Sequence, residues 1–236
     1  MDTVAQIKRE VQRDDDPLVP PLHNGDHLTL AEFQRRYAAQ TQLKKAELIE
    51  GVVYVPSPVH LDTHARPHSR IMGLLFNYMA ATPGTDTADN ASVRLDTENE
   101  VQPDAVLRIR EEYGGQSRQS EDDYLIGAPE LVVEIAASSA AYDLHEKLRV
   151  YRRTGVQEYV ILLTLEQETL WYRLNEGRYD AIVPDDDGIH RSAVFPGLHF
   201  HSAKFWADDL PGQMAVLQAG IASPAHADFV ASLRPE

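Results

Sequence analysis

Apolar residues fall into short runs along this chain, and their spacing predicts alternating helices and strands. Leu30, Phe33 and Tyr37 recur at helical intervals behind Thr29-Leu30-Ala31-Glu32, which has capping-box spacing, so a short helix is expected to about Ala39. Glu47-Leu48-Ile49-Glu50-Gly51-Val52-Val53-Tyr54 reads as two strands turning at Glu50-Gly51. A histidine-rich connection from His60 to His68 leads into a helix through Ile71, Leu74, Leu75, Tyr78 and Met79, ended by Pro83-Gly84. Segments 91–96 and 101–109 read as a hairpin around Glu98-Asn99, and a polar loop follows at 110–123, with the character of a lid, a DNA-contacting element or a disordered connection.

The second half is more regular. Residues 130–136 form a continuous apolar run, the mark of a central strand. Ser138 or Ser139 is placed to cap a helix that stops before Gly155, and Tyr159 to Leu163 is another apolar strand. This strand–helix–strand unit predicts a right-handed parallel crossover. Glu168 to Leu174 and Arg178 to Val183 read as a meander, Asp185-Asp186-Asp187-Gly188 as a turn, Phe195-Pro196-Gly197-Leu198 as a strand and bend, and 211–220 as a last helix. Residues 1–27 carry Asp14-Asp15-Asp16-Pro17 and Pro20-Pro21 and read as a weakly ordered extension. The expected organisation is that extension, one domain over 28–210, and a C-terminal helix and tail over 211–236.

Two lone acids interrupt segments that otherwise look buried. Asp104 follows Val101-Gln102-Pro103, and Glu134 sits inside Leu131-Val132-Val133-Glu134-Ile135-Ala136. A carboxylate in such a place is costly unless it is paired or holds a metal. The plainer readings are an edge-strand aspartate facing solvent for Asp104, a structural salt bridge for Glu134, and a surface glutamate for Glu47. Asp143 and Lys147 stand four apart on the helix after the second acid, with Tyr151 extending the stripe. Taken together, hard oxygen ligands at Asp104 and Glu134 suit magnesium or manganese, Lys147 is placed to orient a water or neutralise developing charge, and Glu47 to complete or support the metal shell. His60, His64 and His68 recur every four residues, but Pro67 interrupts a helix and no downstream cluster completes a zinc set. A hydrogen-bonding role near the site is the better reading for His64 or His68.

Composition narrows the picture. The chain has 236 residues, 43% hydrophobic and 25% charged, which fits a globular protein with a sizeable core. No apolar stretch approaches the length of a membrane span, and the absence of cysteine excludes zinc-thiolate sites and fits a cytoplasmic setting. With 22 basic against 37 acidic residues the formal net charge is -15, which disfavours non-specific binding to nucleic acid.

The chain resembles the Uma-type restriction endonuclease family of the PD-(D/E)xK nuclease superfamily. The matching pieces are Ala46 to Val53, Pro56-Ser57-Pro58, His64-Ala65-Arg66-Pro67-His68, Gln102-Pro103-Asp104-Ala105, Gly127 to Glu134, Tyr142-Asp143 with Lys147 and Tyr151, Gly155 to Tyr159, and Phe195-Pro196-Gly197-Leu198. The resemblance implies a restriction-endonuclease-like α/β fold, a mixed sheet flanked by helices with acids on adjacent central strands. It aligns Asp104 with the PD aspartate, Glu134 with the acid that follows, and Glu47 with the acid of the N-terminal segment. Ala136 stands where the short motif places lysine, and Lys147 on the next helix takes that part. The implied activity is metal-dependent hydrolysis of DNA phosphodiesters, with Mg2+ or Mn2+, supporting roles for His64, His68, Asp143 and Tyr151, and a homodimer that cuts two strands. A nuclease of this kind is also expected to border its groove with arginines such as Arg70, Arg94, Arg108, Arg149, Arg152 or Arg153. The alternatives are a catalytically silent binding or assembly module on the same fold, and a hydrolase of another phosphoester.

Overall fold

Burial of apolar faces gathers the chain into two contact units, one drawing on the segment before Pro58 and on Leu95–Gln102, the other on Val59–Arg94 and everything from Pro103. The computed structural model describes residues 19–56, 60–137 and 142–235. Most of the extension expected over 1–27, and the expected cap at Ser138 or Ser139, lie outside the described residues.

In the first unit, α1 (Leu30–Ala38) starts as its sequence requires, with the Thr29 hydroxyl accepting from the Glu32 amide at 3.3 Å. Strands, numbered along the whole chain, begin with the hairpin β1 (Glu47–Ile49) and β2 (Val52–Tyr54). Its two turn residues, Glu50 and Gly51, both have positive φ, as a two-residue turn of right-twisting strands demands. β5 (Glu100–Val101) pairs with β1. Residues 22–27 are built into this unit: the Gly25 amide donates to Val53 O at 2.8 Å, His27 bridges to Val52, and Leu22 is buried with Phe33, Ala46, Leu48 and Val53.

The second unit holds a six-stranded mixed sheet in the order β12-β11-β10-β9-β6-β3. These strands are β3 (Thr85–Asp89), β6 (Ala105–Ile109), β9 (Leu131–Ala136), β10 (Glu158–Leu163), β11 (Glu168–Asn175) and β12 (Arg178–Ala181). β9 and β10 run parallel and every other neighbour in this sheet is antiparallel. All six residues of β9 and all six of β10 are buried, which accounts for their continuous apolar sequences. Alternation then decides the faces. Leu131, Val133, Ile135, Val160 and Leu162 pack with Ile71, Leu74, Leu75 and Tyr78 of α2 (Arg66–Ala81). Glu134 points to the opposite face, under α3 (Leu148–Thr154), which ends at Gly155 with φ +94°. Two shorter assemblies complete the strands of this unit: β4 (Val93–Arg94) with β8 (Leu125–Ile126) and β7 (Arg118–Gln119), and the pair β13 (Ile189–Arg191) and β14 (His199–His201).

Three readings are corrected. The hairpin expected over 91–96 and 101–109 closes at its turn, where the Leu95 amide donates to Asn99 O at 2.9 Å, but it does not extend along 105–109; β6 pairs instead with Thr85-Asp86-Thr87-Ala88-Asp89, whose polar sequence gave no strand signal because β3 is an edge strand with one neighbour. The last helix is not alone: α4 (Ser202–Trp206), α5 (Leu210–Ile221) and α6 (Pro224–Ser232) close the chain, and Phe205, Leu217 and Phe229 join the main core. α6 carries its own start signal, a Ser223 cap followed by Pro224, within the stretch read as a tail. The loop at 110–123 is built rather than bare, with a 3-10 turn at Glu111–Tyr113 and the strand β7, and buried Glu130 accepts from both the Ile109 and Gln116 amides.

Glu158 is wholly buried and accepts from the Trp171 indole, the Ser192 hydroxyl and the amides of Ala193 and Val194, tying β10 to the segment between β13 and β14. Burial pushes its carboxyl above the ordinary range, against the pull of those donors. His190 stacks on Trp171 with an interplanar angle of 15°, and burial holds its imidazole below the ordinary value of 6.5. The unfolded chain therefore takes up this proton at a higher pH than the folded chain does, so stability is full above about pH 6.5 and is lost as pH falls below it. His190→Gln is expected to lose melting temperature less steeply than wild type between about pH 6.5 and pH 5. Parallel slopes in thermal melts across that window would remove His190 as the cause.

Candidate functional site

The β6–β9 ladder pairs Leu107 with Leu131, Val106 with Val132 and Ala105 with Val133, and Asp104 and Glu134 are the next residues beyond its end. Pro103, which has no amide hydrogen, ends the ladder, and the Asp104 carboxylate takes over there: its Oδ2 accepts from the Ile135 amide at 2.8 Å. Asp104 is therefore buried (3% exposed), not the solvent-facing edge residue that its type suggests.

Glu134, also 3% exposed, receives two donors at one oxygen, Lys147 Nζ at 2.8 Å and the Tyr151 hydroxyl at 2.7 Å, both on Oε1. Lys147 is itself buried and ends the π-helical turn Asp143–Lys147 that leads into α3; its ammonium also lies 5.5 Å from the centre of the Tyr142 ring. Tyr151 is fixed from behind by an edge-on contact with Tyr159 of β10, ring centres 4.9 Å apart. The i,i+4 stripe read from sequence is thus real for Lys147 and Tyr151; the side chain of Asp143 lies outside the described residues. Lys147, on the turn that leads into the following helix, reaches the strand acid.

A second π-helical turn, Leu61–Ala65, precedes α2 and carries His64. Its Nε2 lies 3.2 Å from Asp104 Oδ2, and Nε2 of His68 lies 2.7 Å from the Asp104 carbonyl oxygen and 3.1 Å from Asp89 Oδ1. Pro67 does not break this stretch, because it occupies the first turn of α2, where its missing amide costs nothing. Asp89 was not legible as part of the site, since it ends the unpredicted edge strand β3. Glu47 belongs to the first unit, where it is buried, contrary to a surface reading, and its Oε1 accepts from the Gln102 amide at 2.7 Å. Several of the arginines expected to border a groove are engaged by acids: Arg70 by Asp208 at 2.6 Å, Arg94 by Asp122 at 2.8 Å, Arg108 by Asp86 at 3.3 Å, and Arg149 by Glu146.

The donor set can be tested against a metal by its chemistry. Among the described residues no three His, Asp or Glu side chains converge as a ready-made cage. The carboxylates of Asp104 and Glu134 are hard oxygen donors of the kind that suits magnesium, which keeps most of its waters and takes one or two protein carboxylates together with substrate phosphate oxygens. They do not suit calcium, which asks for six to eight oxygens, or a closed zinc site of four ligands.

The sequence matches the family model Uma2, described as "Putative restriction endonuclease", over residues 30–203. A crystal structure of a "putative nuclease belonging to DUF820" from Anabaena variabilis ATCC 29413 is similar in fold, with a TM-score of 0.57 at 16% identity, covering 76% of this chain and 98% of that one. No curated protein matches the chain. The mixed sheet flanked by helices is the fold class the sequence implied, and no described helix is long and apolar enough to cross a membrane. With the family match extending from the start of α1 into α4, and so across both buried acids and the lysine behind them, the chain belongs to the Uma2 family.

Proposed function

We propose that this protein is a magnesium- or manganese-dependent DNA endonuclease whose site is built on Asp104, Glu134 and Lys147. The observation that carries the reading is a pair of buried acids, Asp104 just ahead of β6 and Glu134 inside the neighbouring strand β9, the second held by a buried lysine at 2.8 Å. A divalent cation bound there would polarise the scissile phosphate and acidify a water. The protein's own part is to orient both carboxylates. The Ile135 amide fixes Asp104, while the Lys147 ammonium and Tyr151 hydroxyl fix Glu134 and offset its charge. Lys147 then stands beside the place where negative charge develops on phosphate. Glu47 secures the backbone at Gln102, two residues ahead of Asp104 in the chain. A homodimer would supply two such sites for two strands.

A second reading is favoured by charge. The formal net charge of -15, together with arginines already engaged by acids, suits a small phosphoester substrate or a non-catalytic assembly role better than a long DNA contact.

Nicking of supercoiled plasmid in Mg2+ or Mn2+ separates these readings. Wild type is expected to cleave, and Asp104→Asn and Glu134→Gln, which keep acceptors for their neighbours, to lose roughly a hundredfold or more in rate while retaining a cooperative melt. No cleavage by folded wild type with either metal sinks the endonuclease reading, and cleavage of a small phosphodiester in its place supports the second. The buried ion pair makes a separate prediction. Lys147→Met alone is expected to cost about 3–5 kcal/mol of stability because it strands the Glu134 charge, and the double variant Lys147→Met/Glu134→Leu to recover most of it. Denaturant titrations that find the double variant no more stable than the single one would contradict this account of the pair.

A further inference from the structure

His64 and His68 lie one helical turn apart, with ring centres 5.8 Å from one another, and both meet the same residue: His64 its carboxylate, His68 its main-chain carbonyl. We infer that the two histidines form a clamp that sets the orientation of Asp104 and, resting on the metal reading above, tunes how tightly the site holds its cation. They act as positioning residues.

The tautomers follow from the partners. Asp104 Oδ2, Asp104 O and Asp89 Oδ1 are all acceptors, so the proton sits on Nε2 of each ring. Nδ1 of His64 is buried with no hydrogen-bond partner among the described residues. A ring chosen only to fill space would not carry that unsatisfied nitrogen, since an apolar side chain of similar size fills the same volume without it. What histidine adds at position 64 is the Nε2 donor toward Asp104. The same Oδ2 accepts from the Ile135 amide at 2.8 Å, so the carboxylate is held from two directions, by strand β9 on one side and the π-helical turn before α2 on the other. His68 holds the carbonyl of the same residue at 2.7 Å and is steadied by Asp89 at the end of β3. Partners of this kind, which fix a ligand without touching the metal, commonly change metal affinity ten- to a hundredfold.

The test uses His64→Leu, which removes the donor, and His64→Gln, whose side-chain amide can present one at the same reach. Amide hydrogen exchange at Ile135, measured on the metal-free protein, reports the Asp104 carboxylate directly. His64→Leu is expected to speed exchange at Ile135 about tenfold relative to other amides of the central strands, and His64→Gln to restore most of the protection. Calorimetric titration with Mn2+ on the same three proteins is expected to show about tenfold weaker binding for His64→Leu and near-wild-type binding for His64→Gln. Unchanged Ile135 protection in His64→Leu overturns the clamp whatever the metal does. Altered protection in a protein that binds no Mn2+ leaves Asp104 clamped and removes the metal reading. Wild-type Mn2+ affinity in His64→Leu removes the tuning role.

Discussion

A carboxylate in the middle of a buried strand governs the architecture around it. Glu134 lies between Val133 and Ile135, in a strand without an exposed residue, and an ionised group there must be compensated or it unfolds the sheet. Compensation comes from α3 and the turn before it: Lys147 supplies the opposite charge and Tyr151 a hydroxyl, both to the same oxygen. The helix therefore cannot slide or rotate on the sheet without separating a buried ion pair, which is far more costly than losing one exposed pair. Tyr159, pressed on Tyr151, carries that constraint to the parallel neighbour β10.

Asp104 is held by a different device. Its strand ends because proline cannot continue a ladder, and the aspartate side chain occupies the amide that the ladder leaves behind. Because the same carboxylate also faces His64, one residue joins a strand end, its neighbour β9 and the entry to α2. Local irregularities thus converge on one place: a ladder stopped by Pro103 and two π-helical turns, one carrying His64 and the other Lys147. Departures from regular geometry concentrate where side chains must be aimed rather than merely packed.

The acids elsewhere show that burial alone does not mark function. Glu130 and Glu158 are as deeply placed as Glu134, yet each is surrounded by backbone amides and neutral donors that pin a loop or a hairpin. Burial raises both carboxyls, and their hydrogen bonds only partly oppose it. Glu134 differs in a charged hydrogen-bond donor, Lys147 at 2.8 Å, and Asp104 in meeting a histidine ring.

Sequence alone determined the central strands, the helix through Ile71 to Met79, the helix that stops before Gly155 and the hairpin at Glu50-Gly51, and it marked Asp104 and Glu134 as acids in otherwise buried segments, because each rests on local pattern: a continuous apolar run, a 3.6-residue period, a turn pair, a charge where none should be. It did not reveal β3, whose polar residues follow from an exposed edge, or Asp89 at its end. Nor could it tell Glu134 from Glu130 and Glu158, or a surface Glu47 from a buried one. Those distinctions depend on which donor arrives from a distant segment, thirteen residues away for Lys147 and forty for His64 facing Asp104. Only the tertiary structure decides that, because strand register and helix placement, not sequence proximity, set the few ångströms within which a charge is satisfied or stranded.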